Sequence, residues 1–375
     1  MQRFKYHFEP QKGWMNDPNG LLWFKGCYHA FFQHNPYDTK WDRMHWGHAV
    51  SRDLIHWEER EIALFPDMNY ENDGGCYSGN AIEKDGIMYL FYTSVSKELG
   101  QTQSVAFSKD GISFTKYENN PVIRHFPKDC ADKEFRDPFV FKYGDEYRML
   151  VGTQYNGRGR IVQYRSDDLF NWEFLGVIYE SLEYNWVIEC PNLFKIEDRW
   201  VLVYSKMGNL PYPVQFITGD FDGEKFYAQE YLNIEGGPQF YAPQTFLDKT
   251  GKRIIIGWYY DWIRKPDEDA LAAGAFSAPR ELLFENGILK MQIIESAAEL
   301  LRNIPIEKEN RIFDTSISGI RITVGTDCVS VSNCGSEVYS YRGMISTLSV
   351  LEDEKGIEGF INDGEHTFSV WRNSV

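Results

Sequence analysis

Trp14-Met15-Asn16-Asp17-Pro18-Asn19-Gly20 runs straight into an apolar stretch, Leu21-Leu22-Trp23-Phe24. Asp-Pro-Asn-Gly is strong turn chemistry, because proline presets φ and Asn-Gly tolerates positive φ. Read alone, it is a β-turn that happens to contain an acid. Its weight comes from what lies downstream, where the same grammar returns: a polar entry, usually a proline, an apolar strand, a turn and an aromatic-rich second strand.

Tyr77-Ser78-Gly79-Asn80-Ala81-Ile82 leads through Lys84-Asp85-Gly86 to Met88-Tyr89-Leu90-Phe91-Tyr92. Arg136-Asp137-Pro138-Phe139-Val140, Glu189-Cys190-Pro191-Asn192-Leu193 and Tyr241-Ala242-Pro243-Gln244-Thr245 open three further units of the same form. Pro18, Pro138, Pro191 and Pro243 are spaced by 120, 53 and 52 residues, with Asn80 standing in for the missing second proline. A unit of roughly 50–60 residues is the size of a propeller blade. Proline at the first residue of each strand would miss no ladder donor. A second hairpin recurs as well, in His48-Ala49-Val50-Ser51-Arg52-Asp53, Val105-Ala106-Phe107-Ser108-Lys109-Asp110 and Val162-Gln163-Tyr164-Arg165-Ser166-Asp167-Asp168. Two hairpins give four strands per unit, and five units close a propeller without long exposed edges. The expected fold is all-β: a five-bladed propeller over residues 1–294, a linker over 295–309, and a short β-sandwich over 310–375.

The bulk numbers agree with a large soluble β protein. The chain has 375 residues, 43% hydrophobic and 25% charged, with aromatics at 16%. That many rings fill sheet-on-sheet cores and also supply stacking platforms for sugars. A net charge of −16 without any Lys/Arg-rich run argues against a nucleic-acid partner. The six cysteines show no metal spacing, so no metal or cofactor is expected. The N-terminus lacks an apolar signal core and no apolar run approaches about 18 residues, so a cytoplasmic protein with free thiols and no membrane partner is the simplest expectation.

In a propeller the first strand of each blade lines the central channel, so its entry residues converge on the axis. Asp17 and Asp137 each stand one residue before proline, and Glu189 stands one residue earlier, in register with Asn16 and Arg136. Three carboxylates brought to one funnel would repel each other, which points to catalysis. Two acids flanking a sugar are the machinery of glycoside hydrolysis, with one attacking or guiding water and the other protonating the leaving oxygen. The bland alternative is turn capping or a structural cation in the channel.

Trp14-Met15-Asn16-Asp17-Pro18-Asn19-Gly20, Phe135-Arg136-Asp137-Pro138 and Glu189-Cys190-Pro191 resemble the three signature blocks of glycoside hydrolase family 32, the invertases, sucrose-6-phosphate hydrolases, levanases and inulinases. Phe32-Gln33-His34-Asn35-Pro36, His45-Trp46-Gly47-His48-Ala49, Tyr77-Ser78-Gly79, Phe240-Tyr241-Ala242-Pro243 and Pro279-Arg280-Glu281-Leu282 extend the likeness to about residue 300. Gly359-Phe360-Ile361-Asn362-Asp363-Gly364-Glu365 is a weaker match in the C-terminal part. The resemblance implies retaining hydrolysis of terminal β-D-fructofuranosides. Asp17 would be the nucleophile, Glu189 the acid and then the base, and Asp137 the residue that stabilises the transition state. Trp14, Asn16, Gln33, Trp41, Tyr77, Ser78 and Arg136 would line the fructose pocket, with Trp258 flanking it. Three features depart from the family pattern: Gln239 stands where members carry Asp before the Phe-Tyr-Ala block, Val187-Ile188 precede Glu189 where many relatives carry a larger residue, and the sandwich is about half the usual length. Any homo-oligomer would use that C-terminal part.

Other residues read more plainly. His45 and His48 suit core hydrogen bonding better than metal ligation. Cys190 is expected to pack beside the acid, and Trp41 and Trp258 are sugar platforms or blade filler. Two competing functions stand beside the fructosidase: an inverting arabinan- or xylan-active enzyme on a similar propeller, and a non-catalytic sugar-binding propeller. The complete Asp17 and Asp137 blocks weigh against the former and the full set of three acids against the latter. The substrate, whether sucrose, sucrose 6-phosphate, inulin or levan, is left open.

Overall fold

The computed structural model describes residues 3–372 apart from 129, 132, 209, 238, 267 and 268. Its first five sheets are the propeller blades. Blade one is built from Gly13–Phe24, Cys27–Asn35, His45–Ser51 and Trp57–Leu64, ordered from the axis outward. Blades three and four repeat this as Phe135–Tyr143 to Glu173–Glu180 and Ile188–Ile196 to Phe226–Leu232. In blade two the innermost strand is broken into Gly75–Cys76 and Ala81–Lys84, both paired with Ile87–Ser96. Blade five runs Tyr241–Leu247, Arg253–Trp258, Arg280–Glu285 and Ile288–Ile293, and Ala272–Ala273 from its long crossover adds a parallel edge to Gly13–Phe24.

The prolines are not at strand starts, as the sequence suggested, but inside the innermost strands. A proline has no N–H to give the ladder, so the ladder breaks around it and the chain bulges. Register is lost between Met15 and Pro18, Arg136 and Phe139, Glu189 and Asn192, and Tyr241 and Gln244. Asp137, Cys190 and Ala242, each just before its proline, take positive φ of 65°, 46° and 45°. The bulge turns the two residues ahead of the proline toward the axis. In blade two the counterpart of Asp17 is Gly79, where a Cβ would fall 1.9 Å from the Phe91 carbonyl oxygen. No side chain fits there.

Buried amides hold neighbouring blades together at the same level. Asn19 Oδ1 accepts from the Gly79 amide (3.2 Å), Asn80 exchanges two 2.8 Å bonds with Val140, and Asn192 Oδ1 accepts from the Thr245 amide (2.9 Å). Trp258 Nε1 donates to the Met15 carbonyl at 2.8 Å and closes blade five on blade one. The recurring outer hairpins share a turn, in which Ser51, Ser108 and Ser166 hydrogen-bond Asp53, Asp110 and Asp168 at 2.9–3.0 Å.

After the propeller, Glu295–Leu300 forms a 3-10 turn and Leu301–Asn303 already pairs with Leu348–Asp353. Two sheets then face each other over a core that includes Ile322, Val329, Val331, Val350, Ile357, Phe368 and Val370. Glu235–Gly236, between blades four and five, lies parallel to the last strand, His366–Trp371. The sandwich is therefore joined to the propeller by backbone pairing. No helix among the described residues is long and apolar enough to cross a membrane.

Candidate active site

A pocket of about 360 Å³ opens at the axis, and Asp17, Asp137 and Glu189 all line it. They reach it from blades one, three and four by way of the proline bulges. Asn16, Gln33, Trp41, Tyr77, Ser78 and Arg136 line it too. Trp14 and Trp258 do not. Both are buried, Trp258 completely, because its indole closes the propeller and Trp14 packs edge-on against it at 5.6 Å. The exposed aromatic in their place is Trp262, which stacks on Trp14 at 5.7 Å.

Each carboxylate has a different set of partners. Asp17 Oδ1 accepts from Asn16 Nδ2 (3.0 Å), and its Oδ2 accepts from Ser78 Oγ (2.5 Å). Asn16 is oriented in turn by Trp14, whose Nε1 donates to Asn16 Oδ1 at 2.7 Å. Burial pushes the Asp17 carboxyl up to about 6; the Ser78 bond opposes this, and the nearby Glu189 charge adds to it. Asp137 is more enclosed. Burial pushes it up to about 7; Arg136 opposes that, and Glu189 and Asp17 add to it. Its Oδ2 accepts from the Cys190 amide at 2.9 Å, and its own amide donates to Thr93 Oγ1 at 2.9 Å.

Glu189 is held on both oxygens. Arg136 Nε and Nη2 donate to Oε1 at 2.9 and 2.8 Å, and the Tyr241 hydroxyl donates to Oε2. Burial first, and the Glu189 charge second, keep the Tyr241 phenol protonated, so it remains a donor. Arg136 also pairs with Glu134. The flanking acids hold it charged against the cost of burial.

Tyr241, Gln101, Glu134, Met207 and Trp262 complete the site and were not anticipated. Tyr241 was within reach, since it stands two residues before Pro243, in register with Glu189 before Pro191. The other four lie on strand ends and loops with no periodic signal. Gln239 does not face the pocket but is buried behind it. His48 is bonded to His29 at 3.0 Å and stacked on Phe31, and burial lowers it to about 3. His45 bonds the Arg43 carbonyl at 3.2 Å.

A carboxylate oriented by neutral donors, facing a second carboxyl gripped by a guanidinium and a phenol, is the arrangement of a glycoside hydrolase on a five-bladed propeller. The glycosyl hydrolases family 32 N-terminal domain matches residues 7–293, and the chain belongs to that family. Among relatives, the sucrose-6-phosphate hydrolase of Escherichia coli is 37% identical over 79% of this chain and 65% of its own length. The chain thus spans just under two thirds of that relative. The sucrose-6-phosphate hydrolase of Bacillus subtilis is 30% identical over 98% of this chain and 88% of its own. A Bombyx mori β-fructofuranosidase, solved as a mutant in complex with sucrose, superposes with a TM-score of 0.85 at 30% identity, over 99% of this chain and 89% of that one.

Proposed function

We propose that this protein is a retaining β-fructofuranosidase that cleaves terminal β-D-fructofuranosyl residues from sucrose, sucrose 6-phosphate or short fructo-oligosaccharides. The observation that carries this is the pairing of Asp17, held by Asn16 and Ser78, with Glu189, held by Arg136 and Tyr241, in one pocket.

The Asp17 carboxylate attacks the anomeric carbon, the bond to the leaving oxygen breaks, and Glu189 gives that oxygen its proton. The two N–H groups of Arg136 then stabilise the carboxylate that Glu189 has become. Water enters, Glu189 takes its proton, and the hydroxide attacks the anomeric carbon as Asp17 departs. Asp137 accepts hydroxyls of the fructose, strengthening as positive charge develops on the ring. Residues 1–294 form the catalytic unit. The partner is a small saccharide, the compartment is the cytoplasm, and any self-association uses the C-terminal sheets.

The test is a hydrolysis panel of sucrose, sucrose 6-phosphate, 1-kestose, inulin and levan, together with a trapping experiment. Glu189→Ala incubated with an aryl fructoside, whose leaving group needs no proton, should gain the mass of one hexosyl residue on the peptide carrying Asp17. An enzyme that hydrolyses a fructoside without ever carrying the sugar would be inverting, and the double displacement would fall.

A further inference from the structure

Blades four and five meet along a seam that runs the height of the propeller. At the pocket end the Tyr241 hydroxyl crosses it to Glu189. At the far end two arginines cross it in opposite directions. Arg253, from the second strand of blade five, lies over the Phe194 ring of blade four at 4.9 Å. Arg199, from the second strand of blade four, lies over the Phe284 ring of blade five, also at 4.9 Å. Register sets them one step apart. Arg253 stands opposite Leu282, two residues before Phe284, and Phe194 stands opposite Val201, two residues after Arg199. Two residues of strand span about 7 Å. Both guanidiniums therefore belong to one stretch of the seam, on the face of the propeller away from the three acids.

Their partners set Arg253 apart. Arg148 in blade three also has a buried, unpaired Nε and a ring beneath it (Tyr143, 5.2 Å), but its Nη2 pairs with Glu146. Arg199 is exposed and donates Nη1 to the Gly287 carbonyl at 2.9 Å. Arg253 Nε is buried with no acceptor, and among the described residues no carboxylate pairs with this guanidinium. Burial lowers it to about 10, with no neighbouring charge opposing the shift. A ring face attracts a cation but leaves its N–H groups unanswered. The chain carries 55 Asp and Glu, yet none answers here, so the counter-charge has to come from outside the chain.

We propose that Arg253 and Arg199 form a binding site for a phosphate group, in the seam between blades four and five and on the opposite face from the catalytic pocket. The planar fork of a guanidinium matches two phosphate oxygens, and a second arginine one step along the seam supplies the second positive charge for a dianion. A phosphate held there ties the two blades together at the end opposite the Glu189–Tyr241 bond. The site is independent of the fructosidase reading.

The experiment is thermal unfolding of the full chain at constant ionic strength, with inorganic phosphate replacing chloride. The wild-type midpoint should rise by about 2 °C at about 20 mM phosphate, the shift of a site with a Kd of about 2 mM. Arg253→Met should abolish the shift, and Arg199→Gln should reduce it. A cooperative transition shows that each variant folds. Should Arg253→Met not fold, Arg253→Lys, which keeps the charge and loses the fork, should shrink the shift instead. Glucose 6-phosphate, with glucose as its control, identifies the source of the phosphate. An Arg253-dependent shift larger than that of inorganic phosphate assigns a sugar ester, and an equal or smaller one assigns the free ion. A wild-type midpoint that phosphate does not move, or a shift that survives in full in the Arg253 variant or in Arg199→Gln, overturns the site.

Discussion

Cys190 and Asp137 are joined twice. The amide of Cys190 donates to Asp137 Oδ2 at 2.9 Å, and its thiol lies 3.5 Å from the same oxygen and 3.7 Å from Asp17 Oδ2. The amide can point there because Cys190 holds φ at 46° just ahead of Pro191. Burial, followed by the charges of Asp137 and Asp17, pushes the thiol well above its usual range, so it stays protonated and donates. Cys190→Ser keeps a donor and should keep most of the activity. Cys190→Ala removes it and should lower kcat/KM by about 3–10-fold, the net worth of one ordinary hydrogen bond, since a thiol is a weak donor. Steady-state kinetics decide this, and an alanine variant as active as the serine one would show that only the amide matters. Cys190→Val should be worse than either, since a β-branched side chain resists positive φ.

The lower step of the acidic limb of the pH–rate profile should belong to Asp17. The attacking group must be ionised, and burial raises this carboxyl to about 6. The sign is simple: as pH drops, kcat/KM falls first through about 7, where Asp137 protonates, and again through about 6, where Asp17 does. The Ser78 bond favours the ionised form, so Ser78→Ala should move the limb to higher pH. A limb that stays in place or moves to lower pH would remove Ser78 from this role.

Glu189 should matter in proportion to the leaving group. Asp17→Ala should abolish turnover on every substrate, by a factor on the order of 10⁴ or more, because no other group can form the covalent bond. Glu189→Gln should cost as much on sucrose but far less on an aryl fructoside, whose phenolate leaves without a proton. Equal losses on both would make Glu189 a binding residue. Tyr241→Phe frees Oε2 of Glu189 and should lower kcat more than it raises KM, since Tyr241 does not line the pocket.

The propeller was legible because its repeat is one-dimensional. A proline every fifty-odd residues, with hairpins of period-two strands between, fixes the blade count before any coordinate is known. The acids were legible for the same reason, since a shared place in the repeat means a shared place at the axis. The bulge was not, because the pattern says only that proline interrupts a ladder, not whether at its start or its middle. Trp258 and Trp262 illustrate another limit: one ends a strand and the other lies in the loop just past it, and only tertiary packing decides which closes the propeller and which lines the pocket. Arg280 belongs to the Pro279-Arg280-Glu281-Leu282 motif, whose spacing alone assigns it no role. It is wholly buried against Glu235 and Glu358 at the junction with the sandwich, a pairing that no spacing within the propeller foretells.

That junction sets the last prediction. His7 is buried with Nδ1 2.8 Å from Asp353 Oδ2 and Nε2 3.1 Å from Glu358 Oε1. Two acceptors on two ring nitrogens require the doubly protonated imidazolium. Burial works against that charge, but the two carboxylates outweigh it and raise His7 from 6.5 to about 9. Its stabilisation is therefore complete below pH 6.5 and lost as pH rises toward 9. Asp353, against the effect of burial, is lowered by the His7 hydrogen bond from 3.8 to about 2, so its contribution is present above 3.8 and lost as pH falls toward 2. His7→Gln leaves two buried carboxylates short of a counter-charge and should destabilise the fold by about 3–5 kcal/mol at pH 6. The gap to wild type should narrow between pH 7 and pH 9, because the wild-type imidazolium is itself titrating away there. Thermal unfolding at both pH values measures it. A gap that stays constant or widens would mean that His7 is neutral in the fold, and Arg280 would then be the cation that balances Glu358 at the junction.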